Sequence, residues 1–134
     1  MVCLETTFII DLLRGKKELE GLIDRFDSGK EDIFIAAPSV MEIISGAELE
    51  ESGKEKEKAL TLFSRLIILP FDKESAILAG EIEASLVLAG ESIEDKDIMI
   101  GAIAKYNGEK LVTKNIKHFR RIKGLEVEGY TNWF

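Results

Sequence analysis

The sequence predicts an α/β domain of three layers, with helices on both sides of a central and mainly parallel sheet, and three observations predict it. Short apolar runs of strand length alternate with longer stretches whose apolar residues recur at helical spacing, the pattern of successive βα units. Two of those runs are closed directly by the chain's two prolines, Pro38 and Pro70. A length of 134 residues with 46% hydrophobic content is enough for one well-formed core, so a single domain spanning 1–134 is expected.

The first apolar run is Val2 to Leu4, with Glu5 at its end. Thr6 and Thr7 follow, and a helical pattern resumes at Phe8, Ile9, Leu12 and Leu13. Lys17 to Phe26 repeats apolar residues at Leu19, Leu22, Ile23 and Phe26, which predicts a second helix. Ile33 to Ala37 reads as the second strand, stopped by Pro38. Ser39 to Leu49 reads as the helix after it, with Ser39 and Glu42 spaced as a capping box. Glu50 to Lys58 alternates in charge and leads, with a break at Gly53, into a helix carrying Ala59, Leu60, Leu62 and Phe63.

Leu66 to Leu69 is the third strand, and Lys73 to Leu88, bounded by Gly90, is a long helix with several small residues. Glu94 to Tyr106 forms the next helix, ended by Asn107-Gly108. Leu111 to Thr113 is the fourth strand, Ile116 to Arg121 a short helical turn, and Glu126 to Glu128 a fifth strand. Trp133 and Phe134 close the chain.

Composition narrows the function classes. No basic start with a small-residue cleavage site opens the chain, and no apolar run approaches the roughly 18 residues that cross a bilayer, so a cytoplasmic protein without a membrane partner is expected. The single cysteine, Cys3, excludes a disulfide within the chain and lies in the first apolar run, where it reads as a small buried hydrophobe. The net charge of −7 is unevenly placed. Lys105 to Lys123 holds seven basic residues against one acid, a local balance of +6 that leaves −13 on the rest. That asymmetry suits an acidic cation site beside a basic shoulder for a phosphate backbone, although a solvated helix face reads the same way.

The chemistry centres on acids at one edge. In an open parallel sheet ligands bind beyond the carboxyl ends of the strands, and Glu5 stands at such an end. A carboxylate buried there without a partner costs several kcal/mol, roughly, so a proton, a cation or a cluster of donors must compensate it. Glu42 opens the helix after the second strand on the same edge, and capping would occupy only one of its two oxygens. In Glu94-Asp95-Lys96-Asp97 the helix dipole explains acids in general. Asp97 stands apart, because it directly precedes the almost wholly apolar run Ile98 to Ala104, with Asp95 as its alternate.

Thr113 and Asn115 end the fourth strand at the same edge, where either can hydrogen-bond a ligand or cap the short helix. His118, the only histidine, has no second His or Cys at ligand spacing, which argues against zinc and leaves it as a surface or RNA-facing residue. Carboxylates and an amide make an all-oxygen site suited to Mg²⁺ or Mn²⁺, the ions of phosphodiester hydrolysis. A phosphoacceptor receiver would need two adjacent acids after the first strand, where this chain has Glu5-Thr6-Thr7.

Four segments together resemble the PIN-domain family. Leu4-Glu5-Thr6-Thr7-Phe8-Ile9-Ile10-Asp11-Leu12-Leu13-Arg14-Gly15 is similar to the opening L-D-T-[NS]-x-L-I-D-x-[LF]-[RK]-G, and Pro38-Ser39-Val40-Met41-Glu42-Ile43 to the second motif. Asp97-Ile98-Met99-Ile100-Gly101-Ala102 matches D-x-x-I-A-A, and Leu111 to Phe119 matches L-V-T-x-[ND]-x-x-x-F. By pattern the nearest group is the VapC-type toxins, Mg²⁺- or Mn²⁺-dependent endoribonucleases silenced by an antitoxin protein and commonly homodimeric.

The resemblance implies an α/β/α sandwich in which Glu5, Glu42 and Asp97 form the acidic metal site, with Asn115 completing the catalytic set and Thr7 and Thr113 supporting it. Lys114, Lys117, Arg120 and Arg121 would then lie near the RNA backbone. Two residues depart from the pattern: Glu5 stands where the family has Asp, and Asn115 where many members have Asp. The longer Glu5 side chain keeps open a degenerate domain that binds RNA or a partner protein without cleavage.

Overall fold

The structure, a computed structural model, describes residues 2–16, 19, 21, 24 and 32–131. Five strands, β1 (Val2–Leu4), β2 (Ile33–Ala36), β3 (Ile67–Leu69), β4 (Lys110–Val112) and β5 (Val127–Glu128), form one sheet in the order β3-β2-β1-β4-β5. Every neighbouring pair is parallel. The helices are α1 (Thr6–Leu13), α2 (Ala37–Glu48), α3 (Lys54–Phe63), α4 (Lys73–Ala89), α5 (Asp95–Tyr106) and α6 (Ile116–Phe119).

The pleat sorts the strand residues into two cores. Successive side chains point to opposite faces, so Leu4, Ile33, Ile35 and Val112 join Phe8 and Ile9 of α1, Ile43 of α2 and Leu62 and Phe63 of α3. Cys3, Ala36 and Leu111 face the other way, against Ile82 and Leu86 of α4, Ile100 and Ile103 of α5, and Phe119. With both faces covered, β1 and β2 in the middle of the sheet are apolar throughout, the pattern of buried parallel strands. Each large aliphatic side chain buried there stabilises the fold by about 1.5–3 kcal/mol. Burial also pushes the Cys3 thiol up to about 12, which keeps it an uncharged core residue.

Gly101 lets α5 approach the chain after α6. A Cβ at this position would stand 2.4 Å from Ile122 Cδ1, and Ile122 is itself buried. The helix carrying Asp97 is seated by that contact.

Several expectations need correction. The second strand ends at Ala36 and α2 starts at Ala37, with Ala36 as its N-cap. Proline fits the first helical turn, where its missing N–H has no intrahelical partner in any case, so Pro38 lies inside the helix rather than before it. Ser39 is therefore a buried helix residue and the Ser39–Glu42 capping box does not form. The capping box that does form belongs to α4, where Asp72 accepts from the Ser75 amide and Ser75 Oγ accepts from the Asp72 amide, both at 2.9 Å. The break expected at Gly53 is its N-cap position before α3, with φ of 71°. The helix expected over Lys17 to Phe26 lies outside the described residues except at Leu19, Gly21 and Asp24, and Trp133 and Phe134 lie outside them too.

Candidate active site

The strand order places the switch point. From β1 the chain moves through β2 to β3 on one side of the sheet, while β4 and β5 lie on the other. Crossovers leaving in opposite directions open a crevice at the carboxyl ends of β1 and β4. Glu5 follows β1 and Thr113 follows β4, and the Glu5 amide donates to Val112 O at 2.9 Å across the pair.

Glu5 is only 3% exposed, and a cradle of hydroxyls holds it. Thr7 Oγ1 donates to Glu5 Oε1 at 2.7 Å, and the Thr113 hydroxyl donates to the same oxygen. Each hydroxyl in turn accepts a backbone amide: Lys114 N–H to Thr7 Oγ1 at 3.0 Å, and Asn115 N–H to Thr113 Oγ1 at 2.9 Å. A hydroxyl has one hydrogen and two lone pairs, so both threonines are used as relays from the backbone of the 113–115 loop to the carboxylate. Burial raises the Glu5 pKa above its ordinary 4.5, the two hydroxyls oppose that rise, and the Asp97 charge adds to it.

Asp97 sits in the first turn of α5, half-buried, while Asp95 is exposed. Its pKa is also raised, first by burial and further by the charges of Glu94 and Glu42, against the lowering effect of His118. His118 Nδ1 is 3.5 Å from Asp97 Oδ2 and 2.9 Å from Asn115 Nδ2. Asn115 holds the N-cap position of α6 without capping it, because its amide is turned to that ring. Glu42, one and a half turns into α2, has Oε1 3.1 Å from the Thr6 hydroxyl and Oε2 3.7 Å from Lys96 Nζ. The Thr6 hydroxyl also reaches Ser39 Oγ at 2.9 Å.

Glu5, Asp97 and Glu42 are thus electrically coupled in sequence at one edge. Among the described residues, no three His, Cys, Asp or Glu side chains stand close enough to ligate one ion as they are placed. The donor chemistry still fits a hard divalent cation. Mg²⁺ retains several waters and takes one or two carboxylates directly, and a dication offsets the desolvation and the carboxylate repulsion that together raise Glu5 and Asp97.

The four cations expected at the RNA backbone differ in placement. Lys117 and Arg120 are exposed on α6 and at its end. Arg121 Nη1 donates to Ser92 O at 3.1 Å, and Lys114 Nζ is 3.1 Å from Asp11 Oδ2. One residue near the site escaped the sequence reading and one was misplaced by it. His118, expected at the surface or facing RNA, is half-buried against Asp97, a neighbour that comes from another helix and leaves no signal in the sequence. Asp11 carries one: three residues after Phe8 it falls on the buried face of α1, where an acid needs a partner. A groove lined by Ile10, Leu13, Ile43 and Ala47 contains none of the three acids; coupled charge, not concavity, marks the site.

Comparison with known proteins gives the chain's family and fold. The PIN domain family matches residues 2–125. The tRNA(fMet)-specific endonuclease VapC of Salmonella typhimurium is 32% identical over 129 residues, covering 95% of this chain and 96% of that protein. Ribonuclease VapC2 of Haemophilus influenzae is 31% identical over 131 residues, covering 97% and 96%. Among solved structures, DNA-bound VapBC from Salmonella typhimurium superposes with a TM-score of 0.85 at 30% identity, over 97% of this chain and 99% of that one.

Proposed function

This chain belongs to the PIN-domain family, among the VapC ribonucleases, and from that membership we propose that it is a divalent-metal-dependent endoribonuclease, the toxin of a toxin–antitoxin pair. The observation that carries the proposal is the buried Glu5 beside the half-buried Asp97 at the switch point of the sheet, both with pKa values raised first by burial and Glu5 further by the Asp97 charge.

Glu5, Asp97 and Glu42 would hold Mg²⁺ or Mn²⁺, with Asn115 beside them. When bound, the ion supplies Lewis-acid polarisation of the phosphate and a nucleophile at neutral pH. The chain's own residues do the rest. Thr7 and Thr113 fix one oxygen of Glu5 and so set the orientation of its carboxylate. Asn115 and His118 hold the edge against which Asp97 rests. Lys117 and Arg120 offer exposed charge to the RNA backbone, and neutralising phosphates supplies most of the affinity for nucleic acid without reading its sequence.

The antitoxin partner follows from the relatives, several of which are solved as VapBC complexes. A homodimer belongs to the same proposal. Ile67 and Ile68 on the edge strand β3 and Phe71 after it are exposed, and apolar surface at a sheet edge is where a second chain is accommodated.

Incubating the purified protein with total cellular RNA in Mn²⁺ tests the proposal. Cleavage that EDTA stops supports it. RNA that is retained but stays intact would favour the degenerate, binding-only domain, for which the Glu5 substitution is the reason.

A further inference from the structure

Asp11 lies outside the candidate site, yet three segments converge on its Oδ2. Tyr130 OH donates to it at 2.5 Å, Lys114 Nζ stands at 3.1 Å and Lys16 Nζ at 3.4 Å. The carboxylate is 4% exposed and carries its charge below the ordinary range. Burial works against that charge, and the Tyr130 hydroxyl and the two lysines outweigh it. Tyr130 is fully buried, with its ring edge-on to Phe8 at 4.9 Å. It is delivered there by Gly129, where a Cβ would stand 2.3 Å from Ile116 Cδ1. The Thr113 amide meanwhile donates to Glu128 O at 3.0 Å.

Lys114 is the link to the candidate site. Its ammonium is held by Asp11, and its own amide donates to Thr7 Oγ1, the hydroxyl that donates to Glu5. Its neighbours Thr113 and Asn115 supply the second relay. We propose that Asp11, together with Lys114 and Tyr130, is a positioning device that fixes the 113–115 loop and so holds the two hydroxyls on Glu5. Its bearing on catalysis rests on the ribonuclease reading above. Lys114 is thereby a positioning residue rather than a contact to substrate phosphate: its ammonium is already matched by the buried Asp11 carboxylate at 3.1 Å, on the oxygen to which Tyr130 also donates.

The test combines amide hydrogen exchange, Mn²⁺ titration and salt-dependent RNA binding on the wild type, Lys114→Met, Lys114→Arg and Tyr130→Phe. Lys114 is half-exposed, so its variants fold. In Lys114→Met, exchange at the Lys114 and Asn115 amides should rise roughly tenfold, as local opening of the loop requires. The strands should stay protected, Mn²⁺ affinity should fall several-fold, and Lys114→Arg should restore both readouts. Tyr130→Phe should loosen the same two amides.

Unchanged exchange at those amides, or equal acceleration across the whole sheet, would overturn the proposal. So would a drop of about 0.7 in the salt slope of RNA binding for Lys114→Met, the mark of a lost phosphate contact on a single strand. A wild type that neither binds Mn²⁺ nor cuts RNA would overturn the ribonuclease reading alone, because the exchange pattern judges the positioning device without metal or substrate.

Discussion

The Thr113 hydroxyl donates to Glu5 Oε1 across 108 residues of chain. That bond joins the ends of β1 and β4 where the strand order reverses, and it gives a buried carboxylate half of its hydroxyl support.

Replacing Thr113 by Val should therefore act at two atoms. Glu5 loses a donor, and the Asn115 amide loses its acceptor. A buried polar group left without its partner costs about 1–3 kcal/mol, so urea unfolding should show a loss in that range. The Glu5 pKa, followed by carboxyl NMR, should rise further above 4.5, because burial then acts against one hydroxyl instead of two.

Glu5→Gln should separate stability from function. Glu5 and Asp97 have folded-state pKa values above their unfolded ones, so between about pH 4 and those folded values these two groups hold more protons in the folded protein than in the unfolded chain. Their effect is a loss of stability as the pH rises from the unfolded values through the folded ones. Asp11, with a lowered pKa, works oppositely: its stabilisation is present above the ordinary 3.8 and is lost as the pH falls through its folded value. In EDTA at pH 7, Glu5→Gln should be more stable than the wild type by about 1 kcal/mol. The gain should vanish near pH 4, and Mn²⁺ should raise the melting temperature of the wild type more than that of the variant.

Much of this site was legible in the sequence, and the reasons differ by residue. Glu5 was visible because a charge ends an apolar run, and Asp97 because an apolar run follows it. Glu42 was placed on the correct edge but given the wrong local role, since Pro38 fits both the end of a strand and the first turn of a helix. Asp11 was not read and His118 was expected at the surface, because what explains both is tertiary: the partners are Tyr130, 119 residues away, and an acid on another helix. The same limit applies to the pairing of Lys114 with Asp11, which no spacing in the sequence announces.

Lys117 and Arg120 are exposed, and under the proposed function they meet the RNA backbone. Lys117→Gln and Arg120→Gln should each weaken RNA binding to a similar degree for unrelated sequences. Each should lower the slope of log affinity against log salt by about 0.7, the value for one phosphate contact on a single strand. Filter binding at several salt concentrations checks this, and the melting temperature should hold.

The central claim is that Asp97, coupled to Glu5, belongs to a hydrolytic metal site. Its most direct test is the RNA cleavage rate of Asp97→Asn in Mn²⁺ beside the wild type. The substitution removes charge and almost no volume, so circular dichroism should show an intact fold. The account predicts that cleavage falls by about a hundredfold or more, in keeping with the loss of one preorganised electrostatic group. Cleavage at the wild-type rate would contradict the assignment of the site.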